Sequence, residues 1–255
     1  GAPTMFDMLT YESTFGTTDF SSIIAFNCGA APVPLPLIET YLEKGVQFCQ
    51  GYGLTETAPY VSVLSSKDSV TKKGSAGKAL MFTEVCIVDA SGAVVPALER
   101  GEICVSGPNV TAGYWGLEAA TRDAFDNRGW FLTGDIGYLD DDGYLFICDR
   151  KKDMIISGGE NVYPAEVEGE LLALPGVKEV AVLGLPDDKW GEKVVAVAVI
   201  DDSSDISIKS VSDFLAGKLA RYKQPRELHV VGELPRNPAG KVQKFVLKER
   251  LISRI

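Results

Sequence analysis

The 255-residue chain contains little histidine, no excess of basic charge and no long apolar run. Its one histidine, His229, lies in the alternating run 227–231, which predicts a half-exposed strand position and excludes histidine-based catalytic triads. The net charge of −10 gives no basic field that could hold a polyanion, so no nucleic-acid partner is expected. Any phosphate ligand must therefore be bound by local groups.

The five cysteines lie far apart and form no CxxC pair, so neither a disulfide framework nor a zinc site is indicated. The longest apolar runs, such as residues 194–200, are too short to cross a bilayer, and no charged-then-apolar leader opens the chain. With 45% apolar side chains, a chain of this length can bury a core and form one to three units. We therefore expect a soluble, cytoplasmic protein.

Hydrophobic patterns divide the chain into three regions. Residues 1–73 combine a helical pattern at 35–44 with a buried-strand pattern at 46–49, which predicts one end of an α/β layer. Residues 74–151 contain short β-branched runs separated by turns, which predicts a small β-barrel or a twisted sheet. These runs occupy residues 84–88, 102–105 and 144–148.

Residues 152–255 predict a separate α/β unit of about a hundred residues, a common domain size. Pro164 is suited to open a helix, and a second helix with one apolar face is predicted at 208–221. Strands are predicted at 180–184 and 193–200, and a last helix follows Gly240. The fold class is therefore α/β and α+β.

Residues 50–56 directly follow the predicted strand of the first region, and ligands of open α/β sheets bind at the carboxyl ends of strands. The two glycines allow a sharp turn and a close approach to a ligand. The tyrosine offers a flat face for a base, the threonine a hydroxyl for a phosphate oxygen, and the glutamate a carboxylate for Mg²⁺. The run reads Gln50, Gly51, Tyr52, Gly53, Leu54, Thr55, Glu56.

This run resembles the adenine and phosphate motif of the acyl-CoA synthetase, adenylation-domain and firefly-luciferase superfamily. Four later segments resemble motifs of the same superfamily in the same order, so a chance match is excluded. The resemblance implies that Asp135 holds the ribose hydroxyls, that Arg150 contacts the ribose and that Lys152 is an interdomain hinge. The four segments are residues 130–135, 149–153, 157–164 and 235–241.

The resemblance also assigns the remaining site residues. Catalytic roles are implied for Thr55, Glu56 and Lys241, with Glu56 as the metal ligand. Ser157, Gly158 and Gly159 would line the pantetheine tunnel of CoA, although a plain β-turn is the alternative for the two glycines. Contacts with ATP or AMP are implied for Gly29, Ala30, Ala31, Gln50, Gly51, Tyr52, Gly53, Thr55, Asp135, Arg150 and Lys241.

Two features depart from the family pattern. Ala30 stands where a second glycine is usual, which makes the backbone less permissive. The Ser/Thr/Gly-rich loop that ends in lysine and wraps the β- and γ-phosphates is absent. Because that loop lies upstream in the family, Gly1 is interpreted as a cut point, and the chain as the carboxy-terminal half of a longer enzyme with a mobile last domain.

The implied reaction has two steps. A carboxylate attacks the α-phosphate of ATP to give an acyl-adenylate and pyrophosphate, and the CoA thiol then displaces AMP. Residues 120–125 and 153–168 are most similar to mycobacterial-type fatty-acyl-CoA synthetases, so the predicted substrates are a fatty acid, ATP and CoA, with Mg²⁺. The alternatives are an aryl or short-chain acid–CoA ligase and a non-catalytic nucleotide- or CoA-binding fragment. Peripheral membrane contact of the full-length enzyme and homo-oligomer formation are left open.

Overall fold

The computed structural model describes residues 1–29, 33–65, 67–237 and 240–253. The fold is mixed α/β, as predicted, and the chain divides into two units, Gly1–Ile147 and Cys148–Ile255. Each unit has its own buried apolar clusters. The finer domain boundaries, at residues 73/74 and 151/152, stay predictions.

The first sheet of the first unit has the strand order β1-β2-β3-β4, with β1 parallel to β2 and the other pairs antiparallel. Tyr41 and Phe48 are fully buried in an aromatic cluster beside this sheet, and Tyr41 Oη donates a hydrogen bond to Phe6 O at 2.8 Å. This buried aromatic cluster therefore holds the parallel strands β1 and β2 in place. The elements are α1 (Pro3–Thr10), β1 (Phe26–Cys28), α2 (Leu35–Glu43), β2 (Phe48–Tyr52), β3 (Ser62–Val63) and β4 (Lys78–Ala79).

The second sheet runs in the order β5-β6-β7-β8. Within the described residues no pairing joins β5 to β8, so the sheet is open: of the two predicted forms, the β-barrel is wrong and a sheet is present. Four strands are too few to close around an interior filled by side chains. The elements are β5 (Glu84–Val88), β6 (Gly101–Ser106), α3 (Glu118–Asp123), β7 (Phe131–Leu139) and β8 (Leu145–Arg150), the last of which crosses the boundary between the units.

The second unit has a sheet in the order β10-β9-β12-β11. A fifth strand, β13, also pairs with β12 and runs parallel to it. The long hairpin of β11 and β12 forms its centre. The elements are β9 (Ile155–Ser157), β10 (Glu160–Val162), α4 (Pro164–Leu171), β11 (Val177–Asp187), β12 (Gly191–Ile200), α5 (Ile208–Leu215), β13 (Glu227–Val230) and α6 (Lys244–Ile252).

Alternation along the central hairpin explains how both of its faces are covered. Val182 and Val194 point to one face and pack in the cluster that includes residues of α4 and α5. Leu183 and Val195, the next residues along each strand, point to the other face and pack against α6. Because successive strand residues face opposite sides, a continuous apolar run predicts a sheet buried on both faces.

Most predicted elements of the second unit are confirmed. Pro164 opens α4, and His229 occupies a strand position with 36% of its side chain exposed. The helix predicted to run to residue 221 ends at Leu215 instead, because Ala216 is extended and Gly217 has φ +80°. Leu219 nevertheless packs into the core, which explains why the sequence pattern extended the helix.

Two surface properties accompany this fold. Met5, Met8 and Tyr11, in and just after α1, are largely exposed. In the described part of the chain, no helix has the length and apolar character required to cross a membrane. All five cysteines fall within the described ranges, and each is a free thiol.

Candidate active site

The predicted nucleotide motif lies at the carboxyl end of the parallel pair β1–β2. Cys28 of β1 is in register with Gln50 of β2, so Gly29 and Gly51 follow at the same edge of the sheet. A methyl group at Gly29 would lie 3.0 Å from Gly51 O, which shows how closely the two turns approach. The neighbouring Ala30 and Ala31 lie outside the described residues.

The two glycines of the motif are required by the chain itself. A methyl group at Gly51 would lie 2.6 Å from Tyr60 Cε1, and one at Gly53 would lie 1.9 Å from Pro59 O. Both glycines therefore let residues 58–60 fold back over the strand end. The structure shows their role in loop packing. A close approach of the two glycines to a ligand stays a prediction.

Tyr52 and Asp135 come together across the first unit. Tyr52 Oη donates a hydrogen bond of 2.8 Å to Asp135 Oδ2, and Asp135 is only 4% exposed. The register of β6 and β7 shifts between Glu102 and Cys104, opposite residues 133–135, and Gly134 has φ +69°. Such a bulge redirects side chains and is common beside functional sites. Here it directs the buried carboxylate to the tyrosine at the end of β2.

Thr55 and Glu56 lie in a short 3₁₀ turn just beyond β2. Glu56 is half-buried, and its Oε1 accepts a hydrogen bond from Tyr114 Oη at 3.0 Å. Burial, together with this carboxylate, raises the pKa of Tyr114, so the phenol remains a donor at neutral pH. The Thr55 side chain is exposed and available to a ligand.

Asn109, which no sequence pattern marks, supports the loop of residues 57–60. Its Nδ2 donates to Thr57 O at 3.0 Å and to Tyr60 O at 3.1 Å, while its Oδ1 accepts from Thr83 Oγ1. Two residues farther on, Thr111 N donates to Glu56 O at 2.7 Å. One segment of chain, residues 109–111, therefore fixes the backbone from Glu56 to Tyr60.

We expect Asn109→Ala to lower the free energy of unfolding by about 1 to 2 kcal/mol, because two backbone carbonyls lose their donor. Chemical denaturation of the purified chain measures this change. Asn127→Ala removes the same amide from an exposed turn position and is the matched control. If the two variants were equally stable, the hydrogen bonds of Asn109 would not contribute to the stability of the chain.

In the second unit, the predicted ribose and hinge residues lie around a 3₁₀ turn, Lys151–Asp153. Arg150 and Lys152 are exposed, and Met154 N donates to Arg150 O. Asp149, which the sequence did not single out, accepts from Arg150 N and from Ala165 N, each at 2.7 Å. Since Ala165 lies in the first turn of α4, the segment before the predicted hinge is tied to that helix.

The predicted CoA-binding residues form the tight hairpin between β9 and β10. Gly158 and Gly159 both have positive φ, +64° and +84°, as two-residue hairpin turns require. A methyl group at Gly158 would lie 2.9 Å from the ring of Trp190, whose carbonyl accepts a hydrogen bond from Gly158 N. Ser157 is 1% exposed, and its Oγ has no hydrogen-bond partner in the described structure.

Lys241 lies in a tight loop closed by the bridge between Arg236 and Val242. Asn237 closes the loop twice, because its backbone N–H donates to Lys241 O and its Oδ1 accepts from Lys241 N, each at 2.9 Å. The Lys241 side chain is exposed and makes no ion pair with any described residue. The lysine therefore has a fixed backbone and an exposed ammonium group. Pro238 and Ala239 of this loop lie outside the described residues.

Within the first unit, the structure brings together Tyr52 and Asp135, and it groups Gly29, Gln50 and Gly51 at one strand edge. The residues of the second unit are separate features of that unit: the turn at Arg150 and Lys152, the glycine hairpin and the Lys241 loop. Sequence reasoning missed the supports of these features because most of them act through contacts with residues distant in sequence, and the contact of Asn237 with Lys241, four residues away, becomes apparent only in the folded loop. They include Asn109, Tyr114, Asp149 and Asn237.

The chain is similar to known proteins along nearly its whole length. The AMP-binding enzyme family matches residues 1–115, and the AMP-binding enzyme C-terminal domain matches residues 166–241. The chain is 45% identical over 248 residues to the long-chain-fatty-acid–CoA ligase FadD13 of Mycobacterium tuberculosis, covering 97% of this chain and 49% of the relative. It is 46% identical over 250 residues to a feruloyl-CoA synthase of an Amycolatopsis species, covering 98% and 51%.

A similar solved structure is the o-succinylbenzoate CoA synthetase of Bacillus subtilis in complex with its acyl-adenylate intermediate. It matches with a TM-score of 0.87 and 42% identity, over 98% of this chain and 50% of that chain. The same enzyme has been solved with ATP and a magnesium ion, and this structure matches with a TM-score of 0.86, 41% identity and coverage of 99% and 50%. The chain thus spans about half the length of the relatives it matches. Family matches at both ends and similarity along nearly its whole length establish that the chain belongs to the AMP-binding enzyme family.

Proposed function

We propose that the complete protein carrying this chain is an AMP-forming acyl-CoA ligase. It would convert a carboxylic acid and ATP into an acyl-adenylate and pyrophosphate, and then transfer the acyl group to the thiol of CoA with release of AMP. The observation that carries this proposal is the buried Asp135 carboxylate held by Tyr52 at the strand edge that bears the nucleotide motif. Since the chain spans half of its relatives, the 255 residues alone are expected not to turn over ATP.

The first unit provides groups suited to a nucleotide. Asp135 would accept hydrogen bonds from the ribose hydroxyls, and Tyr52 orients that carboxylate. Gln50 is 6% exposed, and its buried Oε1 has no partner among the described residues, so it can accept a hydrogen bond from a ligand donor. Thr55 would donate its hydroxyl to a phosphate oxygen, and Gly29 borders the same edge.

Glu56 fits a magnesium site. Mg²⁺ usually takes one or two carboxylates together with substrate phosphates, and Glu56 is a single, half-buried carboxylate at the nucleotide turn. The described residues include no cluster of three or more His, Cys, Asp or Glu suited to a metal. When bound, the ion would neutralise phosphate charge; Glu56, oriented by Tyr114, would hold it.

Lys241 is the proposed group for the adenylation step. Both reactants are anions, so a cation that reaches the carboxylate and the α-phosphate oxygens stabilises the transition state in which they meet. The exposed ammonium of Lys241 on its closed loop is suited to that role. Arg150 would contact the ribose, and Lys152 stays the proposed hinge.

The glycine hairpin is the proposed CoA contact. Gly158 and Gly159 have no side chains that would obstruct a narrow pantetheine arm. The unpartnered hydroxyl of Ser157 can bond to an amide of that arm. A cytoplasmic location agrees with five free thiols. Peripheral membrane contact and a homo-oligomer remain predictions.

We propose a fatty acid as the substrate, with an aryl acid as the second candidate because feruloyl and fatty-acid relatives match equally well. The apolar run after Glu56 gives limited support. Thr57 and Val61 are fully buried, which leaves Ala58, Pro59 and Tyr60 to face an acyl group.

A panel of acids tests the proposal on the full-length protein. Pyrophosphate release should depend on added acid and be fastest with a long-chain fatty acid. Fastest release with ferulic acid would instead establish the aryl alternative. If no acid in the panel stimulated release, the ligase proposal itself would be wrong.

A further inference from the structure

Ion pairs fix both limbs of the Lys241 loop at its base. On the incoming limb, Arg236 Nη2 lies 2.7 Å from Glu179 Oε2 of β11. On the outgoing limb, Lys244 Nζ lies 2.7 Å from Glu168 Oε1 of α4. Between them, a bridge joins Arg236 to Val242, and Gln243 N donates to Pro235 O. The loop is therefore held from two neighbouring elements of the same unit.

The pair on the outgoing limb is the more shielded one. The side chains of Lys244 and Glu168 are 20% and 19% exposed, compared with 36% and 41% for Arg236 and Glu179. Glu168 Oε1 also accepts a hydrogen bond of 2.7 Å from Val182 N. The glutamate thus connects α4, β11 and α6 through one oxygen atom, and shielding from water strengthens such charged hydrogen bonds.

Lys244 also lies in the field of a second carboxylate. Asp149 is 9% exposed and accepts a hydrogen bond from Ala165 N at the start of α4. Burial raises the pKa of both Asp149 and Glu168, and the charge of Lys244 opposes that shift in each. α4 therefore contacts both segments. Its first turn holds Asp149, just before Arg150, and its Glu168 holds the base of the Lys241 loop.

The helix α6 does not depend on this pair for its attachment. Leu247 and Leu251 are buried against β11 and β12, and Lys248 Nζ lies 3.0 Å from Glu192 Oε1. Since these contacts lie three or more residues beyond Lys244, they would keep the helix docked without it. What the Lys244–Glu168 pair fixes is the junction between the helix and the loop.

We propose that Glu168 and Lys244 are positioning residues that hold the Lys241 loop in the geometry needed for adenylation. This inference rests on the proposed ligase function and adds two residues to it. Neither side chain contacts a reactant; both act through the backbone that carries Lys241. The glycine hairpin, which is proposed to serve the CoA step, does not depend on them.

Hydrogen exchange on the 255-residue chain tests the positioning without any assay of activity. In Glu168→Gln and Lys244→Met, the backbone amides of Asn237, Gly240 and Lys241 should exchange about tenfold faster, because a charged hydrogen bond at the loop base is lost. Lys193→Met is the matched control, since Lys193 is 18% exposed and pairs with Glu227 at 2.6 Å elsewhere in the unit. Unchanged loop exchange in both variants, or the same increase in the control, would overturn the inference.

Half-reactions of the full-length enzyme test the consequence. Glu168→Gln should slow adenylate formation by about 10- to 100-fold, the cost of a small displacement at a reacting centre, and leave thioester formation from supplied acyl-adenylate unchanged. Lys244→Arg should retain most of the adenylation rate. If Glu168→Gln does not fold, Glu168→Asp, which keeps the charge, replaces it. This variant should also lose adenylation rate selectively, but by a smaller factor.

Equal losses in the two half-reactions would contradict the positioning role, because a general folding defect affects both steps. The outcome is separable from that of the ligase proposal. If the wild-type protein forms no adenylate, the ligase proposal fails, and the hydrogen-exchange comparison still decides whether the pair holds the loop.

Discussion

Lys241→Ala should reduce adenylate formation in the full-length enzyme by about 100- to 1,000-fold, the range found when one preorganised electrostatic group is removed from a transition state. The expected loss is in kcat, because the cation acts where two anions meet. Thioester formation from supplied acyl-adenylate should be nearly unchanged. Rapid-quench measurement of each half-reaction provides both rates.

The matched control is Lys209→Ala. Lys209 is an exposed lysine of the same unit, on α5, and pairs with Asp213 one turn along the helix. It should have wild-type rates in both steps. If Lys241→Ala lost both half-reactions equally, the separate roles of the lysine loop and the glycine hairpin would be refuted.

Asp135→Asn should raise the KM for ATP by about 10- to 100-fold, because a hydrogen bond to a charged group contributes about 1.5 to 3 kcal/mol. The buried carboxylate is the proposed acceptor for the ribose hydroxyls, and the bulge at Gly134 holds it in place. Tyr52→Phe removes only the orienting hydroxyl and should raise the KM less. The double variant should show less than the sum of the two effects in free energy, since both act through one contact.

Asp126→Asn controls for general destabilisation in this experiment. Asp126 also accepts backbone hydrogen bonds and pairs with Arg128 at 2.6 Å, but in a turn remote from the nucleotide motif in sequence. It should lower stability with little change in the KM for ATP. A KM that stays at the wild-type value in Asp135→Asn would exclude the proposed ribose contact.

The parts of the fold that the sequence predicts well are those with strong local signals. Pro164 sets the start of α4, and the β-branched run of β5 matches its predicted bounds, residues 84–88. The apolar run at 193–200 lies within β12, because a strand covered on both faces has no polar alternation to obscure it. Whether these segments form a helix or a strand is therefore encoded in their local sequence.

Other features depend on contacts between distant residues. Whether β5 to β8 close into a barrel depends on strand number and pairing, which short apolar runs do not specify. The end of α5 was overestimated because Leu219 is buried although it lies beyond the helix. Asn109 supports a loop about fifty residues earlier in the chain, and no local pattern marks it.

The candidate site shows the same division. The motif residues, such as Tyr52, Asp135 and Lys241, could be named because the family pattern records them in order. Their supports could not, since Glu168 and Lys244 are 76 positions apart in sequence and meet only when α4 and α6 pack on one sheet. The glycines of the nucleotide motif show a further limit of sequence-based prediction. The sequence predicted that they leave space for a ligand, but in the structure Tyr60 and Pro59 occupy part of that space.

Oxygen-18 transfer tests the central claim most directly. The full-length enzyme is incubated with ATP, CoA, Mg²⁺ and a fatty acid whose carboxylate carries oxygen-18, and the products are analysed by mass spectrometry. Attack of the carboxylate on the α-phosphate predicts one labelled oxygen atom in AMP and none in pyrophosphate. Label in inorganic phosphate or pyrophosphate, with unlabelled AMP or ADP, would contradict an acyl-adenylate mechanism.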